Sequence, residues 1–239
     1  MPAIRMRVAA VALGFDLLSI LLTSCAAGVR PTPTGGASVG TAVPAAGSQP
    51  SGAVAPAASS AATARKQYSA APPTTIDQNK TYIATIKTNQ GDIKVQLDPK
   101  NAPITVNNFV FLARDGYYNN VPFHRVMKNF MVQSGDPTGT GTGSPGYTIP
   151  DEPVKGNYQE GSIAMANTGQ PNSGGAQFFI CEGNGCQSLP KTYSLFGQVT
   201  DGLDVLHKIA DVPVTNSASG EKSKPTQQLT INTVEISEQ

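Results

Sequence analysis

The chain has 239 residues, a formal net charge of +1 and only two histidines, His124 and His207. A net charge so close to zero gives no electrostatic case for nucleic-acid binding, which usually requires a clustered basic face, and two histidines exclude a multi-histidine metal site. The three cysteines fit no zinc spacing, so no metal or other cofactor is predicted. Nearly all aromatic residues lie after Lys80. This favours one folded domain of roughly 160 residues, long enough to bury a core.

The first 25 residues have the pattern of an export signal. Arg5 and Arg7 precede a mostly apolar stretch, Val8 to Leu22, which is shorter than the about 20 residues that a membrane-spanning helix needs. The stretch ends in Leu22-Thr23-Ser24-Cys25, which resembles the bacterial lipobox, whose cysteine is lipidated and becomes the mature N-terminus. We therefore predict a signal peptide over residues 1–25 and a lipid anchor on Cys25 at the outer side of a bacterial membrane. An ordinary cleaved signal is the alternative.

Residues 26–78 are rich in Ala, Pro, Ser, Thr and Gly, and no acidic residue occurs from 26 to 75. Such a segment cannot bury enough apolar surface to offset the entropy lost on ordering. We expect a disordered tether with a mean span of about 40 Å. The folded domain is then predicted over residues 79–239.

The folded part has the pattern of many short strands and two helices. Tyr82–Thr88 and Asp92–Leu97 alternate apolar and polar residues, which predicts a β-hairpin. One helix is predicted to begin at Pro103, and a second helix is predicted over Leu203–Ile209. Further strands are predicted at Phe123–Val126, Phe130–Gln133, Ser162–Ala166, Gln177–Cys181, Tyr193–Val199 and Gln228–Ile236, the last with a bulge between Ile231 and Val234. This pattern favours a closed antiparallel barrel with helices covering its ends.

One face of the predicted sheet carries an arginine among apolar residues. Arg125 follows Phe123 by two positions, and Met131 and Gln133 alternate along the next strand. An arginine in such a place either pairs with an acid or serves a ligand, and Asp136 is the acid nearby in sequence. From the pattern alone, a structural Arg–Asp bridge and a functional arginine both remain open.

Three stretches of the folded part match known motifs in order. Phe123 to Asp136 fits F-H-R-V-x-x-x-F-M-x-Q-x-G-D at every defined position. Met165-Ala166-Asn167 followed by Gln177-Phe178-Phe179-Ile180 fits the second motif, and Leu189 followed by Tyr193 to Val199 fits the third. Together they resemble the cyclophilin family of peptidyl-prolyl cis-trans isomerases, far more specifically than one short motif would. The resemblance implies a mainly β fold, a closed antiparallel eight-stranded barrel with two helices covering its ends.

The resemblance also implies roles for individual residues. Arg125 would be the catalytic residue. Ser188 stands where many members have Trp, which implies weak binding of the inhibitor cyclosporin, and Tyr193 stands where many have His. The substrate-binding residues would be Phe130, Met131, Gln133, Ala166, Asn167, Gln177, Phe179, Leu189 and Tyr193.

The implied function is cis-trans isomerisation of X–Pro bonds in exported proteins, by a monomeric domain whose partners are proline-containing polypeptides. Rotation about this bond is slow because the amide is conjugated, with a barrier of about 18–20 kcal/mol. Arg125 would donate a hydrogen bond to the prolyl nitrogen or a nearby carbonyl as the amide twists. Two alternatives remain: a chaperone or scaffold that binds proline segments with little turnover, and a protein whose tether carries the interaction.

Cys181 and Cys186 remain once Cys25 is assigned to the anchor. In an exported protein a disulfide between them can persist, whereas members of the family often have a single buried cysteine at the end of this strand. A disulfide and two free thiols both remain open, because sequence spacing does not give the Cβ geometry.

Overall fold

The computed structural model describes residues 66–239. The predicted signal peptide, Cys25 and the tether up to residue 65 lie outside the described residues. The predicted hairpin is present as β1 (Tyr82–Thr88) and β2 (Gly91–Leu97), whose alternate residues are buried. In the part of the chain from residue 66 onward, no helix has the length and hydrophobicity needed to cross a membrane.

The two predicted helices are both present. Helix α1 (Pro103–Arg114) begins with a proline, whose missing N–H would have had no partner in the first turn, and it is followed by Gly116 with a φ of 72°. Helix α2 (Leu203–Ala210) packs against β2. The other strands are β3 (Val121–Pro122), β4 (Arg125–Met127), β5 (Met131–Ser134), β6 (Ser162–Met165), β7 (Phe178–Cys181), β8 (Leu195–Asp201), β9 (Val214–Asn216), β10 (Lys222–Pro225) and β11 (Thr230–Glu238).

The prediction of a closed eight-stranded barrel is wrong in strand number and in closure. In the described residues, nine strands form one antiparallel sheet in the order β3-β11-β1-β2-β8-β6-β7-β5-β4, which curls into a half-barrel. The predicted strand Phe123–Val126 is broken because the chain changes partners there. Phe123 donates its N–H to the carbonyl of Leu229 at 2.9 Å, and His124 donates to that of Gln133 at 3.2 Å. The edge strands β3 and β4 are therefore consecutive in the chain without being one strand.

Two details of the β-structure bear on the sequence analysis. The pairing of β1 with β11 passes from Lys87–Thr233 to Thr88–Ile231 and skips Asn232, which confirms the bulge predicted between Ile231 and Val234. A separate two-stranded sheet, β9–β10, was not predicted. Its second strand, Lys222–Pro225, carries two lysines and a proline and shows none of the apolar alternation that marks the other strands.

The interior of the half-barrel is filled by aromatic side chains. Phe109 of α1 lies with its ring centroid 5.1–5.5 Å from those of Tyr118, Phe178 and Phe196. All four side chains are fully buried. Since α1 brings one of these rings and the sheet brings two, this cluster fixes the helix on the sheet.

The N-terminal strap, residues 66–78, packs against the domain, so the tether prediction does not hold for these residues. Tyr68 lies 5.2 Å from Phe111 between ring centroids, and its N–H donates to the carbonyl of Pro145 at 2.8 Å. Ile76 is buried in the main core. Tyr68 and Ile76 anchor the last residues of a segment that is otherwise rich in Ala, Pro, Ser, Thr and Gly. Its overall composition therefore gave no indication of this ordering.

Candidate active site

The predicted site is built on a row of residues that face each other across four strands. Arg125 on β4 pairs with Gln133 on β5, Gln133 pairs with Phe179 on β7, and Phe179 pairs with Ala164 on β6. Directly opposed residues on antiparallel strands project from the same face. Met131 lies two positions before Gln133 and so shares that face. The register of the sheet therefore places an arginine, a glutamine and two large apolar side chains together.

A cavity of about 100 Å³ opens on this face. Met131 and Phe179 form its buried floor, and the ring of Phe179 meets that of Tyr193 edge-on at 5.4 Å. Leu189 directly follows a short 3₁₀ helix, Gly185–Ser188. Of the residues predicted to be catalytic or substrate-binding, all except Gln177 line this cavity: Arg125, Phe130, Met131, Gln133, Ala166, Asn167, Phe179, Leu189 and Tyr193.

Gln177 lies in a neighbouring groove of about 430 Å³, which also reaches Gln133 and Asn167. Its Oε1 accepts a hydrogen bond from Gln133 Nε2 at 3.0 Å, and its Nε2 donates to the carbonyls of Gly141 and Gly143, each at 3.0 Å. Gln177 therefore connects the strand row to the loop over residues 137–148, called here the wall loop.

The wall loop is organised around the buried carboxylate of Asp136. This carboxylate accepts the N–H groups of Thr138, Gly141 and Gly143 at 2.7–3.0 Å. Burial by itself would raise the pKa of Asp136, but these hydrogen bonds outweigh burial and lower the pKa below its usual value. A Cβ on Gly143 would lie 1.9 Å from the carboxylate, so glycine is required there. The glycine-rich run thus surrounds a carboxylate of its own chain.

The acid that pairs with Arg125 is Glu221, in the turn between β9 and β10. Arg125 Nε donates to Glu221 Oε2 at 2.6 Å, and Nη2 donates to Oε1 at 2.7 Å. The bond from Arg125 lowers the pKa of Glu221 to about 2. The remaining nitrogen, Nη1, lies 3.4 Å from Gln133 Oε1 and 3.8 Å from Met131 Sδ, on the pocket side.

Sequence reasoning missed Glu221. The Arg–Asp bridge left open by the pattern is not formed, because Asp136 is occupied by the wall loop. Glu221 lies 96 positions after Arg125, and the local signal around it is only the turn at Gly220, whose φ is 86°. Nothing in the sequence indicates that this turn lies beside β4.

Cys181 and Cys186 form a disulfide in the structure. Their sulfur atoms lie 2.24 Å apart and their Cα atoms 5.8 Å apart. Both cysteines are fully buried next to the pocket residues Met131 and Phe179. The bridge closes the loop that leads from β7 to the 3₁₀ helix and then to Leu189.

One cluster in residues 66–239 has the donors that could hold a metal ion, and it lies outside the pocket lining. It consists of Glu160, Glu182 and His207, whose ligand atoms lie within 4.8 Å of one another. His207 Nδ1 is 2.9 Å from Glu182 and Nε2 is 3.3 Å from Glu160. The imidazole lies between the two carboxylates, and its contact with Glu182 has the geometry of a hydrogen bond.

The half-barrel, its two helices and this arginine-lined apolar pocket define a proline-isomerase type of protein. Residues 83–236 match the sequence profile described as cyclophilin type peptidyl-prolyl cis-trans isomerase/CLD. The chain therefore belongs to the cyclophilin-type peptidyl-prolyl cis-trans isomerase family.

Individual relatives agree with this membership. A peptidyl-prolyl cis-trans isomerase of Helicobacter pylori is 44% identical over 142 residues, which are 58% of this chain and 86% of the relative. The peptidyl-prolyl cis-trans isomerase-like 3 of Rattus norvegicus is 42% identical over 137 residues, 54% of this chain and 83% of that one. The crystal structure of a cyclophilin-type isomerase of Cryptosporidium parvum matches with a TM-score of 0.61 and 34% identity, covering 66% of this chain and 98% of that chain. A second structure of it, in the presence of the dipeptide Ala-Pro, matches with a TM-score of 0.59.

Proposed function

We propose that the protein isomerises X–Pro bonds of exported polypeptides on the outer side of a bacterial membrane, with Arg125 stabilising the twisted amide. The observation that carries this proposal is the position of Arg125 Nη1 at the rim of a small apolar pocket, beside Gln133. A cavity of about 150 Å³ holds a benzene ring, so one of about 100 Å³ suits a five-membered proline ring.

The chemistry follows from the loss of amide conjugation during rotation. As the bond twists, the prolyl nitrogen gains a lone pair and becomes a better hydrogen-bond acceptor, while no covalent bond breaks. A guanidinium is always charged and offers fixed donors. Because the nitrogen is the better acceptor in the twisted amide, the guanidinium binds the twisted amide more strongly than the planar one. The pocket floor of Met131 and Phe179 holds the proline ring still, and the residue before proline turns.

The proposed location depends on the sequence before residue 66. The Arg5/Arg7 and Leu22-Thr23-Ser24-Cys25 patterns support export and a lipid anchor. We expect a Cys25→Ser variant to leave the membrane fraction of the producing bacterium and to lose the mass of the acyl chains. A variant that stays in that fraction would contradict the anchor.

The catalytic role of Arg125 is tested with the full chain and an Ala-Pro peptide, chosen because a relative was solved with that dipeptide. Cis-trans exchange is measured by NMR for wild type, Arg125→Ala and the control Arg114→Ala, which removes an exposed arginine paired with Glu238. Loss of one such electrostatic group costs about a hundredfold in rate. We expect that loss for Arg125→Ala and none for Arg114→Ala.

The same experiment separates the two functions that the fold supports. If wild type accelerates the exchange and Arg125→Ala does not, the protein is an isomerase that uses Arg125. If wild type binds the peptide without accelerating the exchange, the pocket serves as a proline-segment binding site, and the proposal fails.

A further inference from the structure

The backbone of Glu221 is held in place by its own hairpin. Asn216 on β9 pairs with Lys222 on β10, and within the turn the N–H of Ser217 donates to the carbonyl of Glu221 at 2.7 Å. The N–H of Gly220 donates back to the carbonyl of Ser217 at 3.0 Å. Strand β10 lies against β4, the strand that carries Arg125. The hairpin thus presents a carboxylate at a defined position beside the arginine.

The pairing uses one edge of the guanidinium and leaves another edge for the pocket. Glu221 accepts from Nε and Nη2, which is the two-bond geometry that fixes both the distance and the plane of an arginine. The nitrogen on the pocket side, Nη1, makes no bond to Glu221 and lies 3.4 Å from Gln133 Oε1. A substrate that binds at Nη1 therefore does not have to displace the carboxylate.

Both side chains of the pair are about one-third exposed, so its direct contribution to stability is small. The side chain of Arg125 is 32% exposed and that of Glu221 36% exposed, and ion pairs in contact with water contribute little to folding. What the pair does change is the freedom of a long, flexible side chain. Without the carboxylate, the guanidinium could rotate away from the pocket toward solvent.

We propose that Glu221 is a positioning residue for isomerisation: it orients the guanidinium of Arg125 so that Nη1 faces the proline pocket. The inference rests on the proposed function of Arg125 and adds a second residue, from a hairpin outside the main sheet. It also assigns a role to the β9–β10 hairpin, which places Glu221 beside Arg125.

The test measures the exchange rate and the peptide affinity of the full chain separately. The variants are Glu221→Gln, which removes the charge at nearly constant shape, and Glu235→Gln, a matched control in the exposed ion pair with Lys87. We expect Glu221→Gln to lower the maximal exchange rate about tenfold, while the peptide Kd changes by less than about threefold. Glu235→Gln should leave both unchanged. Thermal unfolding of each variant checks that all are folded.

A double variant tests whether Glu221 acts through Arg125. In an Arg125→Ala background, we expect Glu221→Gln to lower the rate no further, because the side chain it orients is gone. Three results would each overturn the inference. The first is an equal loss of rate in both backgrounds, and the second is an unchanged rate in the single variant. The third is a faster rate in the single variant, which would mean that Glu221 inhibits Arg125. If wild type itself shows no exchange activity, the proposed function fails, a result distinct from these.

Discussion

The pocket floor and the wall loop belong to two neighbouring cavities, both of which Gln133 lines, and they are held in place by different means. Arg125, Gln133 and Phe179 are placed by strand register. Gln133 and Phe179 are paired on both sides, and Arg125, on the edge strand β4, is paired with β5. The wall loop has no ladder within it and is held by the carboxylate of Asp136 and by the side chain of Gln177. The floor is thus fixed by a repeating backbone pattern, and the wall by separate contacts, which also include the Tyr68 N–H to Pro145 and the Tyr147 hydroxyl to Asn108. The wall is therefore the part that single substitutions can loosen.

The largest effect is expected on the floor side. Phe178 and Phe179 are adjacent on β7, but Phe178 packs into the interior against Phe109, while Phe179 lines the pocket. Both are buried, so Phe178→Ala and Phe179→Ala should each lower the free energy of unfolding by about 3–5 kcal/mol. Only Phe179→Ala should also abolish binding of an Ala-Pro peptide.

Calorimetric titration at a temperature where both variants are folded makes this comparison. If Phe178→Ala weakens the peptide as much as Phe179→Ala does, the two faces of β7 are not independent. The distinction between pocket floor and core would then fail.

A smaller loss is expected on the wall side. Asp136→Asn keeps the shape of the side chain but turns one acceptor into a donor that faces backbone N–H groups. Hydrogen bonds to a charged group are worth more than neutral ones, so we expect a loss of about 2–3 kcal/mol in the free energy of unfolding. Asp204→Asn is the control, since Asp204 lies on the surface of α2, paired with Lys208. It should leave the midpoint of thermal unfolding unchanged.

The pH dependence sharpens this prediction. The folded-state pKa of Asp136 lies below its usual value of 3.8. Its contribution is therefore complete above the unfolded-state pKa and is lost as the pH falls through the lower, folded-state pKa. The stability gap between wild type and Asp136→Asn should be constant at neutral pH and shrink below about pH 4. A gap that widens on acidification would contradict the hydrogen-bonded carboxylate.

The smallest effect is expected in the strap, which supports the wall from outside. Tyr68 packs against Phe111 and Tyr147, and Tyr68→Ala should cost about 1 kcal/mol for the lost aromatic contacts. Hydrogen exchange of the Tyr68 amide, which donates to Pro145, should speed up. Tyr68→Phe keeps the ring and loses only the exposed bond to Asp115, so it should behave as wild type. Equal effects of both variants would show that the hydroxyl, not the ring, holds the strap.

The sequence predicted the floor better than the wall because the floor depends on local pattern. The period-two alternation of Met131 and Gln133, together with the family motif, places the row that the structure shows. The bulge at Asn232 was visible in the same way, as a phase shift along one strand. Both helices were predicted as well, the first from Pro103 and its apolar face.

Features that depend on contacts between distant segments were not predicted. The pairing of Arg125 with Glu221 needs the β9–β10 hairpin to lie against β4, and no local pattern encodes that contact. The strap was missed because two side chains, Tyr68 and Ile76, outweigh a composition typical of disorder. The separation of β3 and β4, which form the two edges of the open sheet, was also missed, because it depends on a change of hydrogen-bond partner between Phe123 and His124.

The complete burial of β7 limits how this isomerase can diversify. All four of its residues, Phe178–Cys181, are buried, and alternate ones face the interior and the pocket. Because β7 is only four residues long, a substitution that reshapes the floor also disturbs the packing of the interior on the opposite face of the strand. New preferences for the residues flanking proline should accordingly arise from insertions and replacements in the wall loop, and directed evolution of this protein should start its libraries at residues 137–148.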